Sequence, residues 1–120
     1  MDRSGQDVRL EPRAQVRIRV VVFGLSPDRP ETELTTRDLA AGGMLCISSL
    51  PVPLGKPVKV SLHLTDESGL PHPVILEAIA LRVEGAGPYA VAFHFTQAPE
   101  RIRVQVRRFV LRALPPAPPG

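Results

Sequence analysis

Cysteine is almost missing from this chain: Cys46 stands alone among 120 residues. No intrachain disulfide can form, and a reducing cytoplasm fits. Within MLCI, Cys46 reads as a small buried hydrophobe rather than a reactive thiol. Aromatic residues amount to 4% of the chain, with no tryptophan. Surfaces that stack unpaired bases need aromatic faces, so a nucleic-acid partner is disfavoured. The net charge of only +3 is also a weak electrostatic footprint for a polyanion. No apolar run is long enough to span a bilayer. The N-terminal MDRSGQDVRLEPRAQ lacks the apolar centre of a secretory signal. The expectation is a soluble cytoplasmic protein without a membrane partner.

The usual signatures of catalysis are absent as well. His63, His72 and His94 are widely separated and Cys46 is isolated, so no metal-ligand spacing appears. There is no GxSxG elbow, no phosphate-binding P-loop and no pair of acids on one element. Gly85-Ala86-Gly87 lacks the remainder of a dinucleotide fingerprint. The reading is a protein that is not an enzyme and carries no cofactor.

What the chain does have is a 43% hydrophobic content, enough to fold, in a length that suits one domain. Residues 1–7 read as a flexible arm, 8–114 as the domain, and 115–120, PPAPPG, as a proline-rich tail. AQVRIRVVVF (14–23) alternates, with Val16, Ile18, Val20 and Val22 on one face, which predicts a half-buried strand. GLSPDRPET (24–32) predicts a loop, and strand character resumes near Leu34 and ends at RDLAAGG. MLCISS (44–49), VKVSLHL (58–64), VILEAIALRVE (74–84) and YAVAFHF (89–95) predict further strands. The third of these has apolar residues on both faces, which a bulge would explain. LPVPLGKP (50–57), TDESGLPHP (65–73) and GAGP (85–88) separate them.

RIRVQVRRFVLRAL (101–114) is read as a helix with Ile102, Val106, Phe109, Val110 and Ala113 inward. Pro99-Glu100 suits its first turn, and the arginines at its far end suit the helix dipole. Five to six short strands and a closing helix point to a small barrel or sandwich.

Two stretches remain. RLEPR (9–13) places two arginines four apart, and Pro12 keeps Glu11 out of helical geometry. Arg9 and Arg13 are then separate reaching groups at the foot of the first strand. DLAAGG (38–43) sets Asp38, Ala40 and Gly43 in the pattern D-x-A-x-x-G. Its plain reading is a β-turn capped by Asp38. Thirteen of the fifteen basic residues are arginine, a bias that fits phosphate recognition and equally a GC-rich genome.

RxxxR, a strand and loop, and then D-x-A-x-x-G resemble the PilZ domain family over about residues 8–113. The resemblance implies a mainly β fold, a small six-stranded antiparallel β-barrel with one C-terminal α-helix, and binding of the bacterial second messenger cyclic di-GMP. It implies that Arg9 and Arg13 grip phosphate and the guanine edge. Asp38 would accept hydrogen bonds from guanine N–H groups, and Gly43 would keep the turn free of side chain. The family has serine where this chain has Ala40, and Val8 stands where many relatives carry another arginine.

The resemblance also leaves room for an adaptor that no longer binds nucleotide and acts through protein contacts. In that case the helix arginines Arg101, Arg103, Arg107, Arg108 and Arg112 could meet an acidic partner. The expected partners are cyclic di-GMP and an unidentified effector protein, with the chain a monomer or a ligand-dependent dimer.

Overall fold

Period-two alternation runs through most of the strands and turns a single line of apolar side chains inward from each. A computed structural model describes residues 11–115 of the chain. The predicted arm 1–7, Arg9 and the tail beyond residue 115 lie outside the described residues. The strands are β1 (Arg13–Ala14), β2 (Arg19–Ser26), β3 (Arg29–Ala40), β4 (Gly43–Ser48), β5 (Val58–Thr65), β6 (Pro71–Glu84) and β7 (Tyr89–Gln97), followed by helix α1 (Glu100–Ala113). All strand pairings are antiparallel. The order β3-β2-β5-β6-β7-β4 closes on itself because β4 also pairs with β3. The result is a six-stranded barrel, with β1 as an additional two-residue strand beside the end of β3. Closure leaves these six strands no long free edge.

The interior is filled by Val20, Val22, Leu34, Val60, Leu62, Ala78 and Val91, each at most 2% exposed. Helix α1 lies against β1, β3, β5 and β6 and buries Val106 and Val110. Burying such a side chain stabilises by roughly 1.5–3 kcal/mol. Ile102 and Phe109 are half-buried as expected, whereas Ala113 is exposed at the last turn. No helix among the described residues is long and apolar enough to cross a membrane.

Two sequence expectations change in detail. The segment 24–32 is not a loop: β2 runs to Ser26 and β3 starts at Arg29, leaving only Pro27-Asp28 as a tight hairpin turn. Strong pairing across the hairpin carries Thr32 and Glu31 into the ladder opposite Val22 and Phe23. Conversely, 14–23 is not one unbroken strand. Ala14 opposes Leu39 and Arg19 opposes Thr35, so residues 15–18 face only 36–38. One extra residue breaks the ladder there. The predicted inward face survives, since Ile18, Val20 and Val22 are buried and Val16 is half-buried. The expected irregularity in 74–84 is present as two register shifts, at Glu77/Ala78 and Ala80/Arg82.

The break between β1 and β2 is held by Thr36. Its hydroxyl accepts a hydrogen bond from the Ile18 N–H at 2.8 Å and donates one to the Val16 carbonyl at 2.6 Å. The Thr36 N–H in turn donates to the Ile18 carbonyl at 3.0 Å. Thr36 is 1% exposed, so no water can replace these partners. Thr36→Val keeps the shape and removes the hydroxyl, leaving the Ile18 N–H and the Val16 carbonyl without a partner. We expect a loss of about 2 kcal/mol in urea unfolding; an unchanged midpoint would show that the hydroxyl does not hold the joint.

Candidate functional site

On the opposite side of β3 from this joint, a second irregularity decides where Asp38 points. Thr36 opposes Cys46 and Asp38 opposes Leu45, so Arg37 is an extra residue in the β3–β4 ladder. Leu34 and Thr36 face inward. Continued alternation would send Asp38 into the core after them. The extra residue shifts the phase by one, which exchanges the two faces. Leu39 then takes the interior, 0% exposed, and Asp38 is delivered to the rim with its side chain 19% exposed.

The arm meets that rim through β1. Arg13 lies opposite Ala40, and its guanidinium forms an ion pair with the Asp38 carboxylate. Glu11, two residues earlier, accepts a hydrogen bond from the Gly42 N–H at 2.9 Å. The two members of RLEPR that carry charge and are described, Glu11 and Arg13, are therefore both attached to DLAAGG. Sequence reasoning assigned Glu11 no role. Its place inside the RxxxR spacing was the available signal.

The glycines serve close approach more than turn conformation. Ala41-Gly42 forms the turn between β3 and β4, and neither Gly42 nor Gly43 has positive φ. A Cβ on Gly42 would sit 3.0 Å from the Glu11 carboxylate. A Cβ on Gly43 would overlap the Phe93 carbonyl oxygen. Gly43 pairs with His94, and the Gly42 carbonyl accepts from the Phe95 N–H at 3.0 Å, so β7 packs directly beneath the turn.

These parts border one concavity of about 470 Å³. Glu11, Arg13, Asp38 and Gly43 form one side, and Leu81, Arg82 and His94 contribute the other. Leu81 is 60% exposed at the Ala80/Arg82 register shift of β6, which throws an apolar side chain outward. A second concavity of about 830 Å³ adjoins it through Glu11, Gly42 and His94. Of the residues expected at a site, the structure brings together Arg13, Asp38 and Gly43. Ala40 is next to them in the backbone but 2% exposed, and it does not line the concavity. Arg9 lies outside the described residues. The arginines of α1 are all exposed, and Arg112 is tied to the Thr65 carbonyl at 2.8 Å.

A closed antiparallel barrel with a helix packed against it and an arginine–aspartate pair at the rim is the class this geometry defines. The model of the PilZ domain matches residues 7–112, and the chain belongs to the PilZ domain family. Domains of this family are regulatory receptors rather than enzymes.

Solved structures share the fold. The inhibitor of motility MotI/DgrA of Bacillus subtilis superposes with TM-score 0.74 at 14% identity, covering 93% of this chain and 51% of that one. The PilZ domain of Escherichia coli YcgR with cyclic di-GMP gives 0.69 at 14% identity, covering 88% and 90%. The PilZ domain of CeSA from a cellulose-synthesizing bacterium gives 0.58 at 25% identity, covering 83% and 95%. The chain thus spans about half the length of MotI/DgrA. Comparison with curated protein sequences finds no match.

Cys46, opposite Thr36 and Val91 in the ladder, is 0% exposed. Burial, with the Asp38 charge adding to it, pushes its thiol from the ordinary 9.0 up to about 12. Above pH 9 an unfolded thiol loses a proton that the folded one keeps, so stability falls as pH rises towards the folded value. The expected slope from this residue is up to about 1.4 kcal/mol per pH unit. Cys46→Ala removes that component; parallel stability profiles of the two proteins between pH 8.5 and about 11 would contradict the assignment.

Proposed function

We propose that this chain is a cyclic di-GMP receptor whose ligand sits in the concavity between the Arg13–Asp38 pair and Leu81, Arg82 and His94. The observation that carries the reading is the meeting of Arg13 and Asp38, 25 positions apart in sequence, above the Gly42-Gly43 turn. Their chemistry complements guanine. The base edge offers O6 and N7 as acceptors and N1–H and N2–H as donors. A guanidinium supplies only donors and a carboxylate only acceptors. Ligand entry exchanges the mutual Arg13–Asp38 pairing for hydrogen bonds to the base or a phosphate. An ion pair at this exposure contributes at most about 1 kcal/mol, so opening it costs little against the two charge-assisted hydrogen bonds that replace it.

Arg9 supplies the second guanidinium in this reading, and Gly43 leaves the ligand's approach free of a side chain. Glu11, hydrogen-bonded to the Gly42 N–H, borders the cavity, so occupation of the cavity changes the surface around it. A separate effector protein reads that altered surface, in the cytoplasm, with the receptor a monomer or a ligand-dependent dimer.

Ala40 favours a second reading, an adaptor without nucleotide. Loss of the serine hydroxyl removes one neutral hydrogen bond, about 0.5–1.5 kcal/mol or a few-fold to tenfold in affinity. That weakens binding and leaves the charged groups in place, which is why the receptor reading stands first.

Titration calorimetry of the full chain with cyclic di-GMP, with GTP as control, tests the proposal. Saturable binding is expected, reduced at least tenfold in Arg13→Ala and in Asp38→Ala. Equal affinity in both variants would remove the assigned site. An absence of heat in the wild-type protein would favour the adaptor.

A further inference from the structure

We propose a second anion-binding site, for a phosphoryl group, formed by Arg17 and Arg37 on the far side of Asp38 from the cavity described above. Both arginines owe their position to the two irregularities that flank β3. Arg17 lies in the segment 15–18 where one residue too many faces 36–38. Its neighbours Val16 and Ile18 are both hydrogen-bonded to the Thr36 hydroxyl, at 2.6 and 2.8 Å. The backbone on either side of Arg17 is thereby fixed, and its side chain is left exposed. Arg37 is the extra residue of the β3–β4 bulge and is likewise exposed. Bulges re-aim side chains in this way. Here two adjacent ones turn an arginine each towards the same region.

Arg17 and Arg37 together line two adjoining concavities of about 570 and 440 Å³. Gln15, Asp38 and Leu45 complete the first; Thr35, Thr36, Ile47 and Pro88 complete the second. Among the described residues, Arg13, Arg19 and Arg82 each have a carboxylate partner, and Arg17 and Arg37 have none. Asp38 is the one described carboxylate bordering either concavity, and Arg13 already engages it. Two guanidinium charges therefore share a wall without compensation.

Like charges held side by side repel, and an anion with several oxygens relieves that repulsion while satisfying both planar forks. Arginine matches phosphoryl oxygens in a bidentate manner that a point charge cannot. Gln15 adds an amide donor at the edge. The ligand class is a small phosphoryl-bearing anion. Arg13 borders neither concavity and enters only by holding Asp38, so the site is separate from the nucleotide cavity.

Inorganic pyrophosphate is the probe, added at low ionic strength to the full chain and followed by proton–nitrogen NMR. Expected are saturable shifts at the amides of 15–18 and 35–38 and at the Nε–H groups of Arg17 and Arg37. The double variant Arg17→Gln/Arg37→Gln should lose at least tenfold in affinity. Both positions are exposed, and the unperturbed remainder of its spectrum reports an intact fold. Arg29→Gln, at an exposed arginine that borders neither concavity, should bind as the wild type does. Absence of saturable shifts, equal affinity in the double variant, or the same loss in Arg29→Gln would each overturn the proposal. So would tighter binding of hexaglutamate than of pyrophosphate, which would assign the surface to an acidic protein segment instead.

Discussion

The Thr36 hydroxyl is the joint on which the useful half of this barrel depends. Among the described residues it is the only side chain that bonds to both residues flanking Arg17, and it sits where β3 changes partners. Towards its start β3 pairs with β2, and towards its end with β1 and β4. A strand flanked by ladder defects on both sides at one level would ordinarily open to water, because unpaired backbone groups are costly when buried. Thr36 supplies the missing donor and acceptor from a side chain. A valine would have the same shape and strand preference but neither hydrogen-bonding group. The core can then remain closed while the backbone around it departs from regular pairing.

Those departures are what create a rim. The bulge at Arg37 moves Asp38 from the inward to the outward phase, and the extra residue before β2 lets β1 rejoin β3 further along, with Arg13 opposite Ala40. Neither shift alone would bring the two charges together. The turn beneath them is equally constrained. Gly43 must be bare because the Phe93 carbonyl occupies the place of a Cβ, whereas a Cβ on Gly42 would need the flexible Glu11 carboxylate to give by a few tenths of an ångström. Glycine at position 43 is thus required by packing before any ligand is considered. Ala40 is likewise packed, at 2% exposure.

Much of the fold was legible in the sequence because it is carried by periodicity. Val58, Val60, Leu62 and Leu64 alternate without interruption and are all buried, as are Val91, Phe93 and Phe95. The helix could be placed because Val106 and Val110 recur at its spacing among arginines. The hairpin at Pro27-Asp28 was hidden because residues with loop preference extend into paired strand, where cross-strand packing overrides that preference. For the site, sequence spacing marked Arg13, Asp38 and Gly43 as belonging together through family likeness. It did not reveal the physical means. A ladder defect has no composition of its own, so the bulges at Arg37 and around Arg17, and the hydroxyl that stabilises them, became visible only in three dimensions. Glu11 was missed for a related reason: a carboxylate that anchors a turn amide looks, in sequence, like a spacer between two arginines.

A crystal structure of the full chain grown with cyclic di-GMP addresses the central claim most directly. The account predicts a guanine edge against the Asp38 carboxylate, with Arg13 released from Asp38 and placed on the base or a phosphate, and Leu81 against the ligand from the facing wall. A nucleotide bound elsewhere, with the Arg13–Asp38 pair intact, would contradict it.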